Sequence, residues 1–345
     1  MGMQHKKLLI LNILQILQRY TDEEHRLSQA EIGKRLEEVY GMKVERKAIK
    51  RNLMDLVESG YPLSYTETVR RNRSGEEELL LTDWYLERDF TDAELRLLID
   101  SLLFSRHIPR GQCKALIQKI EGLSNCYFSQ KIRHVCNLPD GLPQNPELFL
   151  NVQLLDEAIG KKRQVCFQYH DYGTDKRLHP RLDAQGNVRE YRINPYQMVA
   201  TNGRYYLIGN YDKYKDVSYY RLDRIRRIQV LDTPVKPMTR VRGLENGLEL
   251  PDHMAEHIYM FSGESGPVSF RVQKSRLCDV FDWFGVGARF SDESEDEVTV
   301  HVRVNYQAMK CWAMQYAAGV RVLSPASLVE EIRLALAAAA AKYEQ

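Results

Sequence analysis

The stretch whose reading decides the fold is YRINPYQMVATNGRYYLIGNYDKYKDVSYYRLDRIRRIQV, running from Tyr191 to Val230. Two apolar and aromatic runs flank Thr201-Asn202-Gly203-Arg204. Asn-Gly between such runs marks a β-hairpin, because both residues tolerate the positive φ that a type I′ turn requires. The run Tyr205-Tyr206-Leu207-Ile208-Gly209 then leads toward Tyr219-Tyr220-Arg221-Leu222-Asp223-Arg224-Ile225. The whole reads as a compact antiparallel β module with arginines set among its tyrosines. Strand alternation puts Arg204, Tyr206 and Ile208 on one face and Tyr205, Leu207 and Gly209 on the other. Arg204 and Tyr206 are therefore expected to share a surface, with Tyr205 and Leu207 in the core.

The 345 residues suggest two or three domains, and the net charge of +2 conceals an asymmetry. Gly160 to Asp232 carries 15 Lys and Arg against 8 Asp and Glu; from Thr239 onward the balance is 11 against 15. A basic central module points to an anionic partner, nucleic acid first, although it could also dock against an acidic neighbour. The six cysteines form no CxxC and no zinc-spaced Cys/His cluster, so reduced thiols of a cytoplasmic protein are expected. No apolar run reaches transmembrane length, and the N-terminus lacks a signal-peptide profile.

Upstream, residues 1–82 read as three helices and a hairpin. Leu8 to Leu17 gives the first helix. Ser28-Gln29-Ala30-Glu31 is a capping box that starts the second, which Gly41 breaks. The third covers about Glu45 to Ser59 and stops at Gly60. Ile49, Leu53, Leu56 and Val57 share one face of it, while Arg46, Lys47, Lys50 and Arg51 gather in its N-terminal half. That half of a recognition helix enters the major groove. Leu63 to Thr82 alternates as a hairpin wing, with Arg70, Arg71 and Arg73 placed to lie along phosphates. Glu76-Glu77-Glu78 would neutralise part of that attraction. A basic helix face alone is usually only solvated; the capping box, the glycine stop and the wing in this order argue for DNA.

Trp84 to Leu123 is helical in pattern, with Thr91 or Asp92 as a cap. Leu138 to Pro146 holds four helix breakers and reads as a domain edge. After Thr233-Pro234-Val235-Lys236-Pro237, strands Val268–Val272, Gly287–Phe290, Val298–Val304 and Val320–Val322 interleave with helices, as in a small α+β sandwich.

The triplet Tyr205-Tyr206-Leu207, with Asn194-Pro195-Tyr196, Asn202-Gly203-Arg204 and Arg221-Leu222-Asp223-Arg224-Ile225, resembles the WYL domain of bacterial transcription regulators. Tyr205 stands where that family usually has tryptophan. The head resembles the winged helix-turn-helix of many such regulators at Ser28-Gln29-Ala30-Glu31-Ile32 and Lys47-Ala48-Ile49-Lys50-Arg51-Asn52-Leu53. Trp312 and Ser324-Pro325 resemble the C-terminal extension that often follows WYL domains. The resemblance implies a multidomain α+β chain. Its parts would be a winged helix-turn-helix over 1–82, a helical linker and dimerisation segment over 83–145, an Sm-like or SH3-like small β-barrel over 146–236 that senses an effector, and a C-terminal α+β sandwich over 237–345. It also implies a homodimer.

No Walker loop, nucleophile elbow or zinc-protease motif occurs, so neither an enzyme nor a metal or cofactor site is expected. His253 and His257, four apart, read as two solvated histidines. What remains is an aromatic and arginine constellation of Tyr169, Tyr196, Arg204, Tyr206, Arg221 and Arg224, which His179 could join or else merely cap a turn. Guanidinium forks hold phosphate bidentately, and tyrosines stack on bases. Arg221 and Arg224 could instead pair with Asp212, Asp216 or Asp223 to hold loops. The expected partners are double-stranded operator DNA, bound through Gln29, Arg46, Lys47, Lys50, Arg51, Arg70, Arg71 and Arg73. The expected effector is a nucleotide, oligonucleotide or single-stranded DNA at the barrel constellation. An accessory nucleic-acid-binding protein without an effector switch is the alternative.

Overall fold

The computed structural model describes residues 6–71, 77–105, 108–128 and 145–343. The chain forms two units, Met1–Gly141 and Leu142–Gln345. The first begins with α1 (Leu9–Tyr20), α2 (Gln29–Tyr40) and α3 (Arg46–Glu58), followed by β1 (Leu63–Arg71) and β2 (Glu77–Leu86), an antiparallel wing. The capping box forms: Ser28 Oγ accepts from the Glu31 N–H, and the Glu31 carboxylate accepts from the Ser28 N–H, so two orphan donors of the first turn are satisfied. Gly41 closes α2 with a φ of 64°. Ile13, Leu17, Ile32, Leu36, Ile49 and Leu53 meet in one core, sealed by Trp84 from β2. Trp84 also forms a single antiparallel bridge with Leu27, which ties the start of α2 to the wing.

Helix α4 (Asp92–Phe104), capped by a second box of Thr91 and Glu94, packs against α5 (Arg110–Glu121) through Leu95, Ile99, Cys113 and Ile117. This segment is fastened to the head. The Arg88 guanidinium donates to the Gln18 and Thr21 carbonyls at the end of α1 and to the Leu123 carbonyl after α5. Asn125 adds bonds to Thr21 and Asp22. The breaker-rich residues 138–144 lie outside the described residues.

The second unit opens with α6 (Leu148–Gly160), which packs on a barrel of β3 (Arg163–Tyr172), β4 (Leu178–Pro180), β5 (Glu190–Thr201), β6 (Arg204–Tyr211), β7 (Val217–Arg221) and β8 (Ile225–Pro234). The sheet order is β4-β3-β5-β6-β7, with β8 also on β3. Edge strands β7 and β8 are consecutive, joined by one 3-10 turn, Leu222–Arg224, so the sheet curls closed. Asn202 and Gly203 turn the β5–β6 hairpin with φ of 50° and 67°, as a type I′ turn demands. Val165, Phe167 and Tyr169 alternate inward from β3 and meet Tyr191, Leu207 and Tyr220.

A buried polar network fixes where the chain leaves the barrel. Asn194 and Asn210 are fully buried, and the Lys236 ammonium donates to Asn210 Oδ1 and to the Asp212 and Tyr214 carbonyls. The segment after Lys236, including a one-turn 3-10 helix (Met238–Arg240) and α7 (Leu250–Glu256), then folds back across the outer face of β5–β7. Val241, Leu244 and Met260 pack there against Tyr196, Val199 and Ile208.

The C-terminal domain has β9 (Ser265–Gln273), α8 (Leu277–Phe284), β10 (Arg289–Ser291), β11 (Glu297–Asn305), α9 (Tyr306–Gln315), β12 (Val320–Ser324) and α10 (Ala326–Ala340). Its antiparallel order β10-β11-β9-β12 is that of a ferredoxin-like split βαβ. Phe270, Val300, Phe284 and Trp312 form its centre. No helix among the described residues is long and apolar enough to cross a membrane.

His253 and His257 are not solvated. Their rings lie 4.5 Å apart, His257 is buried, and the His253 Nε2 is 2.8 Å from the Tyr219 hydroxyl. Burial first, and the neighbouring His257 second, push the His253 pKa down from 6.5 to about 4. A histidine kept neutral by folding stabilises the fold above its unfolded pKa, and that stability drains away as pH falls toward the folded value. We expect the melting temperature of the full chain to fall between pH 6.5 and about 4. In His253→Gln the fall should be shallower; equal slopes would show that His253 does not carry it.

Candidate functional site

On α3, Arg46, Lys47, Lys50 and Arg51 are all exposed, on the side opposite buried Ile49, Leu53 and Leu56. Residues 46 and 50, like 47 and 51, are one helical turn apart, so the four charges make a compact patch. Among the described residues no carboxylate lies within ion-pair distance of any of them. Gln29 does not belong to this surface. It is 3% exposed, its amide donates to the Leu81 carbonyl, and its Oε1 accepts from Arg46 Nε at 3.1 Å. The capping box sets Gln29 at the first position of α2, facing the wing, so it orients Arg46 rather than reaching a ligand. Arg70 and Arg71 are exposed at the end of β1, where Arg71 pairs loosely with Glu77 at 3.7 Å. Arg73 lies outside the described residues.

The barrel constellation divides into two groups. Tyr169, Arg221, Arg224 and His179 gather where the end of β3 meets β4 and the β7–β8 turn. Tyr169 is 6% exposed, its ring inside the barrel, and its hydroxyl accepts from the Arg221 N–H at 3.0 Å. Arg221 forks onto Asp223, at 3.0 and 2.6 Å, in a pair whose side chains are only 14% and 8% exposed. Arg224 Nη1 lies 3.1 Å from Asp171, and the guanidinium sits over the Tyr172 ring. His179, opposite Asp171 in the β3–β4 ladder, is exposed and bonded to Asp175 at 2.9 Å.

Tyr196 is elsewhere, whereas Tyr206 stands directly opposite Arg221 in the β6–β7 ladder. Tyr196 is 6% exposed, with its hydroxyl donating to the Lys236 carbonyl. Tyr206 is half-buried in the same apolar cluster, under the segment that returns after the barrel. Strand alternation does put Tyr206 and Ile208 on one face, opposite core Leu207, but that face is covered rather than open. The cover comes from residues 241–260, which no period within the strand can reveal. Arg204, beside the Asn202-Gly203 turn, is half-buried at the far end of β6 from Tyr211. Of the expected pair, Tyr206 therefore adjoins Arg221 across the ladder, and its ring packs under the returning segment rather than lying on an open surface.

Sequence reasoning passed over Arg181 and Asp171. Arg181 forks onto Asp171 at 2.6 and 3.2 Å and lies over the Tyr169 ring at 5.0 Å. Asp171 thus bridges two guanidiniums, Arg181 and Arg224, and is itself 47% exposed. Hydrogen bonding from Arg181, opposed by partial burial and aided by the charges of Arg181 and Arg224, holds the Asp171 carboxyl below the usual range. The only available signal was the basic run Lys176-Arg177-Leu178-His179-Pro180-Arg181 just after β3. The rim as a whole offers the guanidiniums of Arg181, Arg221 and Arg224, the carboxylates of Asp171, Asp175 and Asp223 and the phenol of Tyr172, and can hold an anion. Among the described residues no group of three or more His, Cys, Asp or Glu is placed to bind a metal ion.

The family model for the WYL domain matches residues 151–230, and that for the WCX domain matches residues 264–340. No curated protein sequence matches the chain. Among solved structures it is similar to the proteasome accessory factor B/C (PafBC) of Arthrobacter aurescens, at 17% identity and a TM-score of 0.29. That match covers 97% of this chain and 49% of PafBC, so the chain spans about half of PafBC's length. A second similar structure is described as a CRISPR Cas-related protein, at 14% identity and a TM-score of 0.39, covering 100% of this chain and 88% of that one. The chain thus carries a WYL domain over its barrel and a WCX domain over its ferredoxin-like C-terminal part.

Proposed function

We propose that this WYL-type regulator is a DNA-binding transcription regulator of the bacterial cytoplasm, acting as a homodimer and without catalytic activity. The α3 face lies in the major groove of operator DNA, with the wing along the backbone. The barrel rim receives a phosphate-bearing effector: a nucleotide, an oligonucleotide or single-stranded DNA. The observation that carries the DNA reading is the row of four exposed cations on α3 with no carboxylate partner among the described residues, set on a helix whose other face is the core of a three-helix head with a wing. Cations not neutralised by a carboxylate at the start of a recognition helix reach base edges and flanking phosphates. The effector acts only if it binds one arrangement of the DNA heads better than another.

A second reading is an accessory nucleic-acid-binding protein with no effector switch. The pairing of Arg221 with Asp223 and of Arg224 with Asp171 favours it, because both guanidiniums already have internal anions.

Lys50→Ala should weaken binding to a duplex selected from a random-sequence pool by about 1–3 kcal/mol, measured by fluorescence anisotropy. The melting temperature should not change, since the side chain is exposed. Unchanged affinity would remove α3 from the interface. Arg221→Ala should instead destabilise the fold by roughly 3 kcal/mol, because it strands the buried Asp223 carboxylate. A variant as stable as the parent in denaturant would mean that the pair is dispensable for the fold.

A further inference from the structure

We infer that Asp171 is an internal stand-in for the effector's phosphate, occupying the anion seat of the barrel rim until the effector displaces it. This inference rests on the reading of the rim as an anion site and specifies how that site is kept closed. Two observations separate Asp171 from Asp223, the other rim carboxylate that is paired with an arginine. Asp223 is buried and serves one guanidinium, Arg221, whose side chain is 14% exposed; the pair closes the turn between β7 and β8 and belongs to the fold. Asp171 is half-exposed and sits between two guanidiniums from different segments, with Oδ2 2.6 Å from Arg181 Nε and Oδ1 3.1 Å from Arg224 Nη1. One oxyanion held by two convergent arginines beside a tyrosine is the arrangement that also fits a phosphate, whose additional oxygens can serve both forks at once.

The seat has capacity that the carboxylate does not use. Arg224 Nε is buried without a hydrogen-bond partner, and an unsatisfied buried donor is costly. A phosphate has enough oxygens to reach it while keeping Arg224 Nη1 and Arg181. The aromatic surroundings also suit a nucleotide: Arg181 lies over Tyr169 and Arg224 over Tyr172. Asp171 sits two residues past Tyr169, the end of the alternating inward part of β3. Beyond it, β3 pairs only with three-residue β4, across the Gly173–Arg177 turn. The carboxylate can therefore swing outward without breaking the barrel, whose closing pair is Arg221–Asp223.

The consequence is a threshold. An anion must outcompete a tethered carboxylate, so weak or singly charged anions are rejected, and a phosphate flanked by a stackable base is favoured. Removing the carboxylate's charge should make the rim bind anions more tightly.

The test compares the full-length parent with Asp171→Asn and Asp175→Asn, using a short fluorescein-labelled single-stranded oligothymidylate as probe at fixed ionic strength. Asp175 is exposed on the same rim and pairs with His179, not with Arg181 or Arg224, so its variant removes the same charge without freeing the seat. We expect Asp171→Asn to tighten binding about tenfold, Asp175→Asn to change it less than about twofold, and Arg181→Ala to weaken it in either background. Equal tightening by both asparagine variants would assign the effect to overall charge and overturn the inference. So would unaltered or weakened binding in Asp171→Asn while the parent binds. If neither parent nor Asp171→Asn binds the probe, the anion-site reading of the rim and this inference fall together. Thermal melts of each variant identify any loss caused by unfolding. For a variant that does unfold, Asp171→Ser repeats the removal of charge with a smaller side chain.

Discussion

A carboxylate that is 6% exposed must be paired or protonated, and Asp223 meets that demand through Arg221. The pair spans the single turn that joins the two edge strands of the barrel, so the closure of the sheet and the placement of the rim arginines are one event. The Arg221 backbone N–H is held by the Tyr169 hydroxyl, which comes from inside the barrel. Arg224, one residue after Asp223, is then carried to Asp171 on β3. Without that closure the cations of the rim would have no fixed geometry to offer a ligand.

The same demand explains why the rim is not a bare basic patch. Three guanidiniums brought together repel one another unless anions sit between them, and the fold supplies Asp171 and Asp223 from its own chain. One of these anions is locked in the interior and the other is open to water. A binding surface that must be stable when empty and still receive an anion needs both kinds. The fully buried Asn194 and Asn210, with Lys236, do comparable work at the barrel's other exit, fixing the path of the chain toward the segment that covers Tyr196 and Tyr206.

Much of the local architecture is legible in the sequence because its causes are local. Asn202-Gly203 turns as its φ tolerance requires, and Ser28 with Glu31 starts α2 where the capping pattern stands. The alternation of β9 and β11 and the apolar stripe of α3 each follow from a period of two or 3.6 residues. The candidate site was less legible because its determinants are distant. Gln29 carries a polar side chain at a helix start, but the wing strand β2 covers it. Tyr196 and Tyr206 look open until residues 241–260 fold over them. Arg181 escaped notice because the β3–β4 pairing, which lays it over Tyr169, closes across a turn-rich stretch with no periodic signal. That Arg221 and Arg224 pair with carboxylates was foreseeable as a possibility; that Arg224 shares Asp171 with Arg181 was not.

The central claim is that the Arg181–Arg224 rim of the WYL barrel is a receptor for phosphate-bearing molecules. A crystal structure of the full-length protein bound to a short oligothymidylate tests it most directly. The account predicts a backbone phosphate within hydrogen-bond distance of both Arg181 and Arg224, with the Asp171 carboxylate turned away and Arg221 still on Asp223. A phosphate seated on another surface, with Asp171 still bridging the two arginines, would contradict it.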